Sequence, residues 1–151
     1  MTAPLSRSDK LAQRLALAVP ALLLAGAYVS QYGFGLFPCE MCWWQRWPHF
    51  AAIALAFCST LIAPRRVWIA LAALAILASG LIGAFHAGVE YGWWQGITGC
   101  TGTDPFSLDI VRCDQAPWHF LGISLAGWNA LLSIGSALAI WVLLLAKENR
   151  A

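Results

Sequence analysis

The stretch VWIALAALAILASGLIGAFHAGV, residues 67–89, contains no Asp, Glu, Lys or Arg. A helix needs about 20 consecutive, mostly apolar residues to cross the hydrocarbon core of a bilayer, and this stretch meets that length without a charge to present to water. Working outward, three more stretches do the same, at about residues 15–32, 47–63 and 123–146. Composition agrees: 60% of the chain is hydrophobic and 11% is charged, against roughly 25% charged in a soluble domain. A chain so short of polar surface cannot face water on all sides. The reading is one all-α domain over residues 1–151, a four-helix transmembrane bundle. Pro20 is expected in the first turns of its helix, where the cost is modest. Pro48 is expected as a helix-start proline, and Pro64 as the close of the second helix.

Orientation follows from the basic residues. Arg7, Lys10 and Arg14 precede the first span, Arg65 and Arg66 join the second and third, and Lys147 and Arg150 follow the fourth. These seven of the nine basic residues fall on one side, which the positive-inside rule makes cytoplasmic. Both termini are then cytoplasmic. Two loops face outward, at about 33–46 and 90–122, carrying Arg46 and Arg112 with Glu40, Glu90, Asp104, Asp109 and Asp114. Arg7, Lys10 and Arg14 ahead of an apolar run also suit a signal peptide. The run is long, however, and Tyr28, Gln31 and Tyr32 make a poor small-residue cleavage site, so it is read as a span. A net charge of +2 with no basic stripe excludes nucleic acid as a partner. Trp43, Trp44, Trp47, Trp93, Trp94 and Trp118 lie near the ends of apolar runs, where an interfacial aromatic belt sits.

Four of the five cysteines fall in the outward loops, a pair in each: Cys39 and Cys42, then Cys100 and Cys113. Disulfides persist outside the cytosol and are rare within it. The first pair is a C-x-x-C at a helix start, whose free N–H groups and positive dipole end favour thiolate. Arg46 adds a positive charge nearby. The alternative is a static staple of the loop. Cys100 and Cys113 bracket a segment with Gly102 and Pro105 that reads as a loop, and a structural staple is again the plain alternative. Two such pairs on one face can exchange by thiolate attack. Four thiols can also make a zinc site, but the second pair lacks zinc-knuckle spacing and the compartment favours oxidation, so no metal is expected. Cys58 reads as a small apolar residue within a span.

Arg46, flanked by Trp43, Trp44, Trp47 and His49, suits a ring with polarised carbonyl oxygens at the membrane surface. An arginine near a helix end also snorkels to the interface for no further reason. His86, near the outer end of the third span, is an intramembrane ionisable residue and hence a functional candidate. An interfacial histidine is also commonly a hydrogen-bonded structural residue. His49, His119 and Glu90 carry less weight.

Three strings together resemble the DsbB family of disulfide-bond formation proteins. They are residues 38–49 (PCEMCWWQRWPH), residues 85–90 (FHAGVE), and Cys113 followed by Trp118-His119-Phe120-Leu121-Gly122. The resemblance runs from the first span through the fourth. It implies a bacterial inner-membrane enzyme with periplasmic active loops, which reoxidises a periplasmic thioredoxin-fold dithiol oxidant, DsbA, and passes the electrons to ubiquinone or menaquinone. It implies that Cys39 and Cys42 form the quinone-proximal disulfide, with Cys42 nearest the quinone and Arg46 assisting quinone binding. It further implies that Cys100 and Cys113 form the partner-facing disulfide, with Cys100 attacked by the partner thiolate. The segment between Cys100 and Cys113 is a departure, being short for the family. A vitamin-K-epoxide-reductase-like enzyme is the nearest alternative, and the order of the cysteines argues against it. A non-enzymatic membrane adaptor with structural disulfides is the other.

Overall fold

The computed structural model describes residues 5–98 and 111–146. Cys100, Gly102, Asp104, Pro105, Asp109, Lys147 and Arg150 lie outside the described residues. Four helices carry the fold: α1 (Arg7–Gly33), α2 (Glu40–Leu61), α3 (Arg65–Glu90) and α4 (Leu125–Leu145). A two-stranded hairpin, β1 (His119–Phe120) and β2 (Ile123–Ser124), leads into α4. Helices α1, α3 and α4 are long and apolar enough to cross a membrane. Helix α2 is more polar along its first turns, where Glu40, Gln45, Arg46 and His49 fall. Large apolar side chains such as Leu22, Phe57, Leu81, Leu131 and Val142 stand exposed on the outside of the bundle, as a lipid solvent requires.

Helix starts differ from expectation for a local reason. Helix α1 begins at Arg7, well before residue 15, because the Ser6 hydroxyl accepts the Asp9 N–H at 3.1 Å and so supplies a cap. Hydropathy registers only the lipid-facing part of a helix. Pro20 therefore lies well inside α1. Helix α2 begins at Glu40, not near residue 47, because Cys39 serves as its N-cap. Pro48 is consequently interior and not a helix-start residue, and its missing N–H leaves the Trp44 carbonyl without the usual i→i−4 bond. Pro64 is the N-cap of α3.

The hairpin takes the end of the expected outer loop and the first two residues of the expected fourth span, so that α4 begins at Leu125. His119 pairs with Ser124 and Phe120 with Ile123 across a two-residue turn, with φ of 52° at Leu121 and 78° at Gly122. A two-residue turn with both central residues left-handed matches strand twist. Gly122 adopts it freely, whereas Leu121 does so against its Cβ. The Tyr91 hydroxyl at the end of α3 donates to the Gly122 carbonyl (3.0 Å) and accepts the Ser124 N–H (3.1 Å). Ser124 then caps α4 by accepting the Gly127 N–H. The hairpin thereby fixes the start of α4 against the end of α3.

Helix α3 is the central element and packs most extensively on α2 and α4. The core is built on small residues, with Ala12, Ala16, Ala52, Ala56, Ala72, Ala73 and Ala137 fully buried around Ile69, Ile76 and Ile140. Small residues allow close backbone approach where lipid offers no hydrophobic drive between helices. One end of the bundle holds the C-x-x-C, the end of α3 and the hairpin. The other holds Arg66, which pairs with Asp9 at 3.3 Å and donates to the Leu144 carbonyl.

Candidate redox site

Because Cys39 caps α2, its sulfur receives the helix N-terminus directly. The Cys39 Sγ accepts the Cys42 N–H at 3.3 Å and lies 3.0 Å from the Cys42 Sγ. Both are free thiols, as is half-buried Cys58. The Cys42 thiol holds the Cys39 pKa down; burial opposes this, while the His86 ring and the Cys42 N–H add to it, and the result is about 5. The C-x-x-C spacing at a helix start leaves open which of the two sulfurs receives this stabilisation. The turn geometry gives it to Cys39, since the cap residue is the one whose side chain reaches back to the free N–H groups.

The second sulfur approaches from the other loop. Cys113 is fully buried and disulfide-bonded, and accepts the Thr98 hydroxyl at 3.6 Å. The Cys39 Sγ, the Cys113 Sγ and the His86 Nε2 all lie within 4.8 Å of one another. Cys100 is outside the described residues. Two sulfurs at this spacing, with an imidazole between them, suit thiol–disulfide exchange. They also form a potential metal-donor trio, but a sulfur held in a disulfide is no thiolate ligand.

His86 is 1% exposed and joins this trio to a second polar layer. The hub is Gln45, one turn after Met41 on the buried face of α2 that runs Met41, Gln45, His49, Ala52 and Ala56. The Gln45 Nε2 donates to the Met41 carbonyl (3.1 Å) and to the His86 Nδ1 (2.8 Å). Its Oε1 accepts from the Asn129 Nδ2 of α4 at 2.9 Å. The Asn129 Oδ1 accepts from the His49 Nε2 (2.9 Å) and the Ser133 hydroxyl (3.0 Å). Ser79 of α3 lies 2.9 Å from the same His49 nitrogen. Gly83 makes room for this crossing. A Cβ there would stand 3.0 Å from the Asn129 Nδ2 and 3.1 Å from the Gln45 Oε1.

A cavity of about 240 Å³ opens between α1, the first turns of α2 and the start of α4. Its walls are mainly apolar, from Leu22, Leu23, Phe37, Leu125 and Trp128 among others, and its polar groups include Cys42, Gln45, Arg46, His49, Glu90 and Asn129. Cys42 lines it and Cys39 does not. Arg46 is 6% exposed and does not snorkel outward. Its guanidinium donates to the Gln31 Oε1 (2.7 Å) and the Ala27 carbonyl (3.4 Å) of α1. It also lies 4.9 Å from the centre of the Tyr28 ring and 4.8 Å from that of Trp43. Such contacts pre-set the orientation of a planar donor.

The structure thus brings Cys39, Cys42, Cys113, Arg46 and His86 to one end of the bundle. It sets Trp43, Trp44 and Trp47 elsewhere than expected, since all three are exposed and none lines the cavity. Trp43 reaches the site only through Arg46. On a helix, residues 43, 44 and 47 face away from 41, 45 and 49. The aromatic walls come instead from Phe37 and Trp128. Gln45, Asn129 and Gln31 were given no role in the sequence. The four-residue spacing from Met41 through Gln45 to His49 was the available signal for Gln45. Nothing local marks Asn129 or Gln31. His119 lies exposed on β1.

A disulfide bond formation protein B of an Azoarcus species is 33% identical over 143 residues, covering 82% of this chain and 84% of its own. One from Paracidovorax citrulli is 30% identical over 148 residues, covering 87% and 83%. Another from Marinobacter nauticus is 27% identical over 146 residues, covering 83% and 86%. No solved structure matches the chain. The family model described as disulfide bond formation protein DsbB matches residues 9–143, and the chain belongs to that family of multi-pass bacterial membrane proteins.

Proposed function

We propose that this protein is a quinone-dependent dithiol oxidase of the inner membrane, with its cysteine end in the periplasm. It reoxidises a DsbA-like dithiol partner and delivers the electrons to ubiquinone or menaquinone. The observation that carries this reading is the position of Cys42. It lines the apolar cavity beside Arg46, while Cys39, directly behind it, lies within exchange distance of Cys113.

The residues perform the sequence as follows. A partner thiolate attacks Cys100 of a Cys100–Cys113 disulfide, and Cys113 leaves as a thiolate. The second partner thiol resolves the mixed disulfide, so the partner leaves oxidised with Cys100 and Cys113 reduced. The Cys113 thiolate then attacks Cys39 of a Cys39–Cys42 disulfide, and Cys42 leaves as a thiolate facing the cavity. His86 sits beside both reacting sulfurs and can hold a proton at Nε2 for either. Cys100 then attacks Cys113 of the Cys39–Cys113 bond, which restores the Cys100–Cys113 disulfide and frees Cys39, and closure of the Cys39–Cys42 disulfide gives up two electrons and two protons. The cavity suits a quinone ring: apolar walls match its faces, and the Arg46 guanidinium can donate to one of its oxygens. A bound quinone supplies the two-electron sink, which the chain otherwise lacks. The direction requires such a sink, because the DsbA couple stands at about −120 mV and few protein disulfides are more oxidising. Trp43, Trp44 and Trp47 serve as interfacial anchors in this reading.

The test is stoichiometric. Detergent-purified protein is given reduced DsbA-like partner with decylubiquinone or a short-chain menaquinone. One quinone is expected to be reduced per partner disulfide formed. Partner oxidation that consumes no quinone, or no partner oxidation, sinks the reading. In reduced spheroplasts, a membrane-impermeant maleimide is expected to reach Cys100; labelling of Cys100 only after permeabilisation would reverse the orientation.

A further inference from the structure

Hydrogen-bond partners fix the tautomers of two buried histidines, and one of them faces the cavity. The assignment starts from a group with no ambiguity, the Met41 backbone carbonyl, which can only accept. The Gln45 atom 3.1 Å from it is therefore the NH₂ group, and the other Gln45 atom, 2.9 Å from Asn129, is the carbonyl oxygen. The Asn129 atom facing that oxygen must then be its NH₂, which also meets the Ser79 carbonyl at 3.2 Å. The remaining Asn129 atom, Oδ1, only accepts, so the His49 Nε2 at 2.9 Å carries the proton. A neutral imidazole protonated at Nε2 has a bare lone pair at Nδ1. Among the described residues, the His49 Nδ1 is buried without a partner, and its residue is 3% exposed and lines the cavity.

We infer that the His49 Nδ1 is a hydrogen-bond acceptor reserved for the hydroxyl of the reduced ring, so that the cavity binds hydroquinone more tightly than quinone. This rests on the quinone reading above. A quinone carbonyl offers lone pairs only, and cannot satisfy a bare nitrogen. A hydroquinone O–H can. Arg46, a donor in every state, serves either form, so discrimination falls to His49. Tighter binding of the reduced form raises the midpoint potential of the bound couple by linkage. Quinone plus two electrons and two protons gives hydroquinone, with both electrons and both protons coming from the dithiol that closes to a disulfide. His49 is thus a positioning and potential-setting residue, held in its tautomer by Asn129 and, through it, by Gln45.

The experiment measures binding, not turnover. Oxidised full-length protein in detergent is titrated under nitrogen with decylubiquinone and, separately, with decylubiquinol, read by quenching of tryptophan fluorescence. The wild type is expected to favour the quinol. His49→Leu is expected to lower the ratio of quinone Kd to quinol Kd about tenfold, with the quinone Kd itself little changed. For a two-electron couple that is about 30 mV off the bound midpoint. His49→Gln, which restores an acceptor oxygen, is expected to recover part of the preference. Asn129→Leu, which frees the ring to present Nδ1–H, is expected to lose it. An unchanged ratio in His49→Leu overturns the inference, as does parallel weakening of both forms. Failure of the wild type to bind either form saturably overturns the quinone reading itself.

Discussion

Replacing Gly83 by alanine adds one methyl group where three elements meet. The new Cβ would stand 3.0 Å from the Ala126 carbonyl oxygen, 3.0 Å from the Asn129 Nδ2 and 3.1 Å from the Gln45 Oε1. Each is tighter than an ordinary carbon contact of about 3.5–4.0 Å. The first is backbone, so relief requires α3 and α4 to separate by several tenths of an ångström. The other two are the donor and acceptor of the 2.9 Å bond between Asn129 and Gln45, so relief there stretches that bond. Overpacking costs about 1–3 kcal/mol, and a buried polar pair left unsatisfied adds about 1–3 kcal/mol. We expect a loss of about 2–6 kcal/mol in reversible unfolding in mixed detergent micelles. Gly135→Ala is the matched control, because its Cβ meets nothing within 4 Å. It is expected to be neutral or to stabilise by up to about 1 kcal/mol, as helix propensity dictates. Combining Gly83→Ala with Asn129→Ala should cost less than the sum, since the bond is already gone. If Gly83→Ala unfolds within about 0.5 kcal/mol of wild type, the close crossing of Gln45 and Asn129 beneath α3 is wrong.

The remaining expectations concern the thiols, Arg46 and Gln45. In the reduced protein, iodoacetamide should titrate a Cys39 thiol with a midpoint near pH 5, and Cys42→Ala should raise it, because the Cys42 thiol is the main cause of the lowering. The folded value lies below the free value of 9.0, so its contribution is complete above pH 9 and is lost as pH falls to 5; reduced protein should lose stability progressively across that window, and oxidised protein should not. Arg46→Ala should raise the quinone KM by about tenfold and Arg46→Lys by less, since lysine keeps the charge but loses the planar fork; unchanged quinone kinetics would remove Arg46 from the site. Gln45→Glu replaces a donor facing the His86 Nδ1 with an acceptor, so nitrogen-15 shifts should show the His86 proton moving from Nε2 to Nδ1; an unmoved tautomer would contradict the hydrogen-bond assignment.

Much of this fold was legible because a bilayer is a demanding solvent. An uncharged run such as residues 67–89 has few other places to go. The helix ends were less legible, since caps act through single hydrogen bonds: Ser6 and Cys39 extend α1 and α2 beyond any hydropathy signal. Chemistry and spacing single out Cys39, Cys42, Cys113 and Arg46, which the structure brings to one end of the bundle. The tryptophans misled because adjacency in sequence is not adjacency on a helix, and residues 43, 44 and 47 share the face opposite 41, 45 and 49. Asn129 was invisible. Its role depends on α4 crossing α3 at Gly83, a fact of tertiary packing that no local pattern carries.

The choice of amides for the buried hub follows from where it sits. A carboxylate or ammonium between membrane helices is costly and draws a counter-charge. Glutamine and asparagine are neutral, yet each has one end that only donates and one that only accepts. Placed in series, they carry a direction: the Met41 carbonyl fixes Gln45, Gln45 fixes His86 on one side and Asn129 on the other, and Asn129 fixes His49. The His86 Nδ1 must accept from Gln45, so its Nε2 keeps a proton to offer the Cys113 carbonyl at 3.2 Å and the Cys39 sulfur at 3.6 Å. The same backbone carbonyl therefore dictates a donor at the sulfurs and an acceptor at the cavity. Thiol exchange needs a group that can protonate or stabilise a leaving sulfur, and retention of a reduced ring needs a lone pair. A single chain of neutral amides sets both, and the ionisable groups at this end, Arg46 and Glu90, lie beside it and not within it.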